Sequence, residues 1–334
     1  MEPRQLSERQ KYEINRFVVN GGSLLLAVQN YEYNYQPRGN QLSIIPQEKN
    51  PDVNNLLRQW GFEVEEQILV DEQHDMINLS GAVQMGPFDV AIPVKVPIQI
   101  LVNASGMNMN TSITSRLSSI FYLWGTALKL NESEIQAQGL KVDTLLQSSN
   151  RSWTVPFKPG QLTPADLGRL PESRLGPLPL AVMAIGQFKD AYQGQAVPAW
   201  PEPAKEHATA DAAAQTPPAV EPETAEPLNP KPGKMILVGA SAPFQKHLIR
   251  GGGHMNFFLN AVDALSLGEE LVTIRSKQPI DRSIDKISTP AKLGWRVFVT
   301  FLVPVLFAVL GTMRLILRKQ AKQVYVKSYS SAAH

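Results

Sequence analysis

Three glycines in front of an apolar run are the first place where this sequence could bind a ligand. Gly251, Gly252 and Gly253 precede HMNFFLNAVDALS, which has the composition of a helix. A glycine-rich turn at a helix N-terminus can hold phosphate, because its free backbone N–H groups point at the anion. No lysine follows these glycines directly, as a Walker loop requires, and the third glycine of the Rossmann pattern is replaced by Asn256. We therefore predict that the glycines provide turn geometry and no nucleotide site.

Ser241 and His254 could supply a nucleophile and a base to a hydrolase. Ser241 follows a predicted strand in the run GASAP, but the nucleophile-elbow pattern G-x-S-x-G is not satisfied. His254 has no second histidine one helical turn away, and His247 lies seven residues earlier. A hydrolase that uses Ser241 or a histidine stays an alternative. The favoured interpretation is a protein without catalytic, cofactor-binding or metal-binding residues.

The other polar residues form no pattern that would carry a reaction. Carboxylates occur singly along the chain, and none forms a pair at a spacing typical of acid–base catalysis. Examples are Asp71, Asp75, Asp89 and Asp143. Residues 106–114, GMNMNTSIT, could line a polar pocket or form a loop.

The composition excludes several classes of site. The chain has 334 residues, enough for one large domain or two ordinary ones, and 43% of them are hydrophobic. It contains no cysteine, which excludes disulfides, thiolate metal sites and a cysteine nucleophile. Its 32 basic and 30 acidic residues leave a net charge of +2 without a basic stripe, so we expect no nucleic-acid partner.

Helix and strand signals alternate along the first part of the chain. Ser7 and Gln10 match a capping box, and Gly21 and Gly22 follow the helix that it starts. The apolar run SLLLAV predicts a buried parallel strand, LPLAVMAIG is a second buried run, and a further helix is expected over residues 52–60. Alternation of this kind predicts an α/β layered domain.

Two later stretches differ from the first part of the chain, one in its hydrophobic period and one in its composition. DVAIPVKVPIQILV has period two but contains Pro93 and Pro97, so we predict an edge strand or an extended arm there. Residues 198–233 are rich in Pro, Ala and Glu, and a disordered insertion is expected. KMILVGAS, the helix after the glycines and ELVTIRSK then predict a final strand–helix–strand unit.

The predicted organisation is one soluble domain in two segments, followed by a membrane helix. Residues 1–197 form its first α/β part, residues 198–233 the insertion, and residues 234–290 the last part of the same domain. Residues 291–320 form a transmembrane helix, and residues 321–334 form a polar basic tail.

The membrane helix is predicted from VFVTFLVPVLFAVLGTM, residues 297–313. These 17 uncharged residues are at the lower limit for a membrane span. Arg314 can snorkel, which extends the run to about 21 residues at Leu317. Trp295 and Arg318 mark the two flanks. Five basic residues follow the span against four before it, which favours a cytoplasmic C-terminus.

Five segments occur in an order that is typical of one family. They are KYEINRFVVNGGSLLLAVQ, NLLRQWGFEVEEQILVD, NMNTSITSRLSSIFYLWGTAL, TLLQSSNRSW and KMILVGASAPFQKHLIRGGGHMNFFLNAVDALSLGEELVTIRSKQP. Together with a C-terminal membrane helix followed by Arg and Lys, they resemble the GldG-like auxiliary component of ABC transport systems associated with gliding motility. The resemblance spans nearly all of the chain except the insertion.

The resemblance implies a flavodoxin-like or glutamine-amidotransferase-like α/β domain, related in shape to a domain of intraflagellar transport proteins and without catalysis. It also implies an accessory subunit beside an ABC permease and an ATP-binding subunit. That subunit would be held in the lipid bilayer of the bacterial inner membrane, with its soluble domain in the periplasm. A membrane-anchored scaffold unrelated to transport is the other alternative.

Two features depart from the family pattern. The family's GDSDF turn is GASAPF here, at residues 239–244, so both acids are missing and a polar role of this turn is not expected. Family members usually begin with a membrane helix and further strands ahead of the segment that starts here at Met1. The expectation is a downstream half of a split gene or a shortened chain, with an upstream partner subunit that supplies sheet strands.

Overall fold

The described part of the chain alternates short helices with strands. A computed structural model describes residues 5–38, 41–85, 88–168, 176–201, 227–267 and 289–331. The helices are α1 (Glu8–Val19), α2 (Asn54–Gln59), α3 (Glu132–Ala137), α4 (Pro164–Leu167), α5 (His254–Leu267) and α6 (Thr289–Ser331). The strands are β1 (Ser23–Ala27), β2 (Tyr31–Arg38), β3 (Gln41–Glu48), β4 (Phe62–Val64), β5 (Ile68–Asp71), β6 (His74–Met85), β7 (Phe88–Asn103), β8 (Ser119–Leu123), β9 (Leu128–Leu130), β10 (Lys141–Gln147), β11 (Ser152–Val155), β12 (Pro179–Gly186) and β13 (Gly233–Val238). The chain divides into two compact units, Met1–Asp281 and Arg282–His334.

Helix α1 starts and ends where the sequence predicts. The Ser7 hydroxyl accepts from the backbone N–H of Gln10, and the Gln10 side chain accepts from the backbone N–H of Ser7, which completes the capping box. Gly21, with a φ of +93°, turns the chain away after the helix. Near its end, Val18 is buried, whereas the neighbouring Phe17 is 54% exposed.

Four strands form the central sheet in the order β1-β13-β12-β10. β1 and β13 are parallel, whereas β12 is antiparallel to both of its neighbours. The parallel pairing predicted for SLLLAV is confirmed, but its side chains are only half-buried, because β1 lies at the edge of the described sheet. β12 is buried from Leu180 to Ala184, as its apolar run predicts.

The side chains of β13 alternate between two cores. Ile236 and Val238 pack with the buried face of α5, while Met235 and Leu237 pack with residues of α1 and α2. This alternation follows from the two-residue period of a strand. The sheet therefore has helices on both faces, and the α/β part of the predicted fold class is confirmed.

A second sheet contains β6, β7 and β8 in that order. The first half of β7 pairs with β6, so that Pro93 lies beside Asn78, and from Gln99 onward β7 also pairs with β8. The predicted edge position is therefore correct for the proline-containing half. It is wrong at Ile100, which has a neighbour on each side. Proline has no N–H for a ladder, so the second partner begins only beyond Pro97.

A third core lies under the hairpin of β2 and β3. Its buried members include Tyr31 and Tyr33 from β2, Ile44 from β3 and Trp153 from β11. β11 pairs antiparallel with β5. Burial, with the charges of two glutamates nearby, raises the pKa of Tyr31 to about 12, so its hydroxyl stays protonated at neutral pH.

Helix α5 buries a narrower face than its apolar sequence suggests. Phe257, Ala261, Ala264 and Leu265 are buried at helical spacing. The apolar run alone would also place Leu259 and Val262 against the sheet, but they are 39% and 38% exposed on the opposite side of the helix. Residues 270–277, expected to form a strand, lie outside the described residues, and so do residues 202–226 of the predicted insertion.

The described part of the second unit is one helix, α6, of 43 residues. The segment Pro290–Lys319 is long and apolar enough to cross a membrane by length and composition, and none of it is buried in the protein. Pro304 lies inside the helix. The chain thus has one candidate membrane helix near its C-terminus within the part that the structure describes.

Candidate functional site

The carboxyl ends of the parallel strands β1 and β13 meet at one edge of the central sheet. Ligands of open α/β sheets usually bind outside the carboxyl ends of strands, so this edge is the first candidate site. Gln29 follows β1, and the turn of residues 239–244, with Ser241, follows β13. These residues together are called the carboxyl edge below.

The side chain of Gln29 fills the carboxyl edge. Its Oε1 accepts from the backbone N–H groups of Ser241, at 2.8 Å, and Ala242, at 3.0 Å. Its Nε2 donates to the carbonyl oxygens of Tyr31, at 2.5 Å, and Trp124, at 2.8 Å. Two converging backbone N–H groups are an arrangement that can bind an anion. Here a buried amide oxygen of the protein, on a residue that is 2% exposed, takes that position.

The space next to Gln29 is also filled, by Tyr122 and the backbone around it. The hydroxyl of Tyr122 lies 2.7 Å from the carbonyl oxygen of Thr126 and 3.2 Å from that of Leu180. Burial raises the pKa of Tyr122 well above its usual range. A Cβ atom on Gly239 would lie 2.4 Å from the Thr126 carbonyl oxygen, and one on Gly125 would lie 2.2 Å from the Tyr122 ring. Both glycines are therefore required by the close approach of their neighbours.

Ser241 and His254 do not form a nucleophile–base pair. The Ser241 hydroxyl oxygen lies 3.5 Å from Gln29 Oε1, and Ser241 is 3% exposed. The His254 ring is buried, with Nδ1 2.9 Å from the Leu248 carbonyl oxygen and Nε2 2.8 Å from that of Phe121. An activated serine needs its base within hydrogen-bond reach. His254 instead fastens the loop ahead of α5 to strand β8.

Two of the three glycines are required by the structure. Gly252 and Gly253 have φ values of +57° and +79°. A Cβ on Gly252 would lie 2.5 Å from the Phe121 ring, and one on Gly253 would lie 2.4 Å from the Ser119 carbonyl oxygen. A Cβ on Gly251 would come no closer than 3.7 Å, to the Leu248 carbonyl oxygen, so this position tolerates a side chain. The predicted turn geometry is confirmed, and it brings α5 against β8.

Residues 106–114 form a loop that also lines a small cavity. Asn108 pairs with β10 through its backbone N–H to the Leu145 carbonyl and its side-chain amide to the Thr144 carbonyl, both at 3.1 Å. Its own carbonyl accepts from the Thr114 hydroxyl at 2.6 Å. The cavity, of about 210 Å³, is lined by Gly106, Met107, Asn108, Thr144 and Gln147. It is smaller than the roughly 300 Å³ at which ligand pockets begin.

Asp71 is a buried carboxylate with a structural role. It accepts from the backbone N–H of Ser149 at 2.8 Å, from the Ser149 hydroxyl at 2.5 Å and from the backbone N–H of Gln73 at 2.8 Å. It thereby joins the end of β5 to the turn before β11. Among the residues that the structure describes, no three His, Asp or Glu side chains come together as a metal site requires.

Lys11 is a buried cation of α1. It is 1% exposed, and its Nζ lies 2.5 Å from Glu8 Oε1 and 2.9 Å from Asp52 Oδ2. Burial alone would lower the pKa of Lys11, but the hydrogen bonds and charges of Glu8 and Asp52 outweigh it and raise the pKa. This cluster ties α1 to the loop before α2.

Sequence reasoning missed Gln29, although a signal was present. Gln29 and Asn30 are polar residues that directly follow an apolar strand, at the end where ligands or buried polar contacts are expected. Asn30 donates to the Glu65 carbonyl oxygen at 2.9 Å. What the signal could not reveal is that the partner groups of Gln29 come from the protein itself.

Comparison with known proteins finds a family and distant structural likenesses. A family model described as "ABC-type uncharacterized transport system" matches residues 1–261. The chain is similar to a solved structure described as "mmIFT52 N-terminal domain", with 11% sequence identity and a TM-score of 0.36. That likeness covers 79% of this chain and 73% of the other. No curated protein matches the chain.

Proposed function

We propose a function from one premise: the chain belongs to the family of ABC-type uncharacterized transport systems, as an auxiliary component. The proposal is that it is a non-enzymatic, membrane-anchored accessory subunit. Its soluble unit binds a partner or an export substrate, beside an ABC permease and an ATP-binding subunit. The finer GldG-like, gliding-motility assignment and the flavodoxin-like layering belong to the same proposal, and the five segments of resemblance support them.

The observation that carries the non-enzymatic proposal is the closed carboxyl edge. Gln29 accepts hydrogen bonds from the two backbone N–H groups that follow β13, and the Ser241 side chain is buried. A reacting group would have to displace a side chain that makes four hydrogen bonds. Binding through an outer surface is therefore favoured over binding at this edge.

Anchoring is proposed from α6. Leu302, Val305 and Leu306 are 46%, 55% and 54% exposed in a helix that has no buried face. An exposed apolar run of this length loses its unfavourable contact with water when it enters a bilayer, whose core is about 30 Å thick. We propose a single pass through the bacterial inner membrane, with the α/β unit in the periplasm.

The partner proposal is tested by purification from native membranes. The full chain, tagged and extracted in a mild detergent, is expected to co-purify with an ABC permease and an ATP-binding subunit. A single-span protein with the same tag is the control. Recovery of the chain without either subunit would support the unrelated-scaffold alternative instead.

A Ser241 variant distinguishes the accessory-subunit proposal from the hydrolase alternative. Ser241→Ala leaves the Gln29 contact to the backbone N–H of residue 241 in place, so partner co-purification and transport are expected to be unchanged. A folded Ser241→Ala protein that still binds its partners but has lost function would favour the hydrolase alternative.

The orientation is tested with a single cysteine, because the chain has none of its own. Ala196 is exposed in the loop after β12. In intact spheroplasts, an Ala196→Cys chain is expected to react with a membrane-impermeant thiol reagent before lysis. Reaction only after lysis would place the unit in the cytoplasm.

A further inference from the structure

Helix α6 carries charge of one sign only. Between Thr289 and Ser331 the sequence has seven Lys and Arg residues and no Asp or Glu. The other 25 basic residues of the chain all lie in residues 1–288, together with all 30 acidic ones, so that part has a net charge of −5. The net positive charge of the protein therefore comes from the helix, which contributes +7 against −5 from the rest of the chain.

Three of these cations lie at one end of the uncharged run. Residues 297–313 span about 25 Å at about 1.5 Å per residue, less than the roughly 30 Å of bilayer hydrocarbon. Continuing through Leu317 gives about 31 Å, which places Arg314 one turn inside the boundary and Arg318 and Lys319 at it. A long side chain at such a depth extends toward the headgroups.

Arg314 and Arg318 are four residues apart, so they lie on the same face of the helix. Both are exposed, as is Lys319. The helix itself contains no acidic side chain that could pair with them. At the end of a membrane span, these three cations would lie at the level of the lipid phosphates. The guanidinium group binds phosphate oxygens bidentately, which suits two arginines on one face to that ligand.

We propose that Arg314, Arg318 and Lys319 form a cationic collar that binds anionic phospholipid headgroups in preference to zwitterionic ones. This inference rests on the proposed membrane anchoring and adds the lipid class to it. A zwitterionic headgroup carries its own cation beside the phosphate, whereas an anionic one leaves the phosphate charge available to the collar. Anionic lipids attract basic residues next to a membrane helix more strongly for this reason.

The experiment uses the full chain in vesicles, with a fluorophore beside the collar. Since the chain has no cysteine, Ile316→Cys provides one labelling site between the arginines. Brominated phosphatidylglycerol and brominated phosphatidylcholine are compared as quenchers at equal mole fraction in phosphatidylcholine vesicles. The collar predicts an apparent preference for phosphatidylglycerol of about tenfold that weakens with added salt.

Two variants show whether the collar is responsible. The triple change Arg314→Gln, Arg318→Gln, Lys319→Gln is expected to reduce the preference to near unity. Arg314→Lys with Arg318→Lys keeps the charge and should keep most of the preference. The matched control, Lys292→Gln with Arg296→Gln, removes charge at the other end of the helix and should change nothing at the reporter.

The outcomes separate this inference from the proposed anchoring. Flotation with vesicles but equal quenching by both lipids overturns the collar and leaves anchoring intact. A preference that survives the triple change also overturns it. A chain that does not float with vesicles at all overturns both. If Arg314 and Arg318 are shielded from solvent only when ABC subunits are present, they pair with acidic side chains of a partner protein, and the lipid proposal is wrong.

Discussion

The two units of this protein differ in whether their side chains find contacts inside the unit. In the α/β unit, two buried polar side chains have all their hydrogen-bond partners inside the unit: Gln29 bonds to four backbone groups, and Asp71 accepts from Ser149 and Gln73. In α6, apolar side chains such as Phe307, 68% exposed, have nothing in the described unit to pack on. The first unit is specified by its own contacts, while the second depends on what surrounds it.

The largest effect is expected from a charge in the middle of α6. Val305 is the central residue of the uncharged run, and Val305→Lys places an ammonium group at the bilayer midplane. A lysine there disfavours insertion by about 3 kcal/mol, or roughly a hundredfold in partition. We expect most of the chain to leave the membrane fraction in flotation assays.

The matched control for this change is Val305→Ala, which removes volume without adding charge. It should leave flotation close to that of the parent chain. Equal flotation of the lysine and alanine variants would mean that α6 is held by protein contacts, and the contrast between the two units would disappear.

The next largest effect is expected at the carboxyl edge. Gln29→Ala leaves two N–H groups and two carbonyl oxygens without their partner, and buried unpaired groups cost about 1–3 kcal/mol each before relaxation. Relaxation of the turn after β13 should limit the loss of unfolding free energy to about 2 to 3 kcal/mol. Chemical unfolding in mild detergent, followed by tryptophan fluorescence, measures it.

Gln10→Ala is the control for the loss of a glutamine side chain. Gln10 lies on the exposed capping box of α1, where such a change costs about 1 kcal/mol or less. If Gln29→Ala were no more destabilising than Gln10→Ala, the carboxyl edge would not be internally locked. It would then be a candidate ligand site again.

The three glycines allow a smaller effect to be tested within one loop. Gly253→Ala introduces a Cβ 2.4 Å from the Ser119 carbonyl oxygen at a φ of +79°, and the strain should cost about 2 kcal/mol of unfolding free energy. Gly251→Ala meets its nearest neighbour at 3.7 Å and should stay within about 0.5 kcal/mol of the parent. Equal effects in thermal unfolding would mean that α5 is not held against β8 by this turn.

Local features of the fold could be predicted from the sequence because their causes are local. The capping box of Ser7 and Gln10 and the turn at Gly21 depend on residues within a few positions. The positive φ values of Gly252 and Gly253 can be predicted in the same way, because only glycine adopts such values freely. The apolar runs of β1 and β12 likewise predict strands by composition alone.

Pairing and polar contacts could not be predicted because their causes are distant in sequence. Gln29 meets Trp124 and Ser241, which lie 95 and 212 residues away. The antiparallel position of β12 and the central position of Ile100 depend on which strands come together. An apolar run is compatible with either strand direction, and a proline excludes pairing only near itself.

The smallest effect is expected from the buried cation of α1. Lys11→Met removes a charge that Glu8 and Asp52 share, but both acids are partly exposed, at 62% and 44%, and water can solvate them afterwards. The loss should therefore be about 1 kcal/mol, less than for a fully buried pair. Lys49→Met, at a pair with Glu32 whose members are both more than a third exposed, is the control and should cost less.

The pH dependence of this difference sharpens the test. Because the pKa of Lys11 is raised above its ordinary value of 10.5, its contribution is complete below that pH and is lost as the pH rises through the raised pKa. The difference in unfolding free energy between the parent and Lys11→Met should be constant near neutral pH and shrink above pH 10.5. Tyrosines titrate in both chains and cancel in the difference, except Tyr192, whose pKa depends on the charge of Lys11, so both chains also carry Tyr192→Phe. A difference that grows with pH would show that Lys11 is held neutral, and the α/β unit would then contain a buried group without a charged partner.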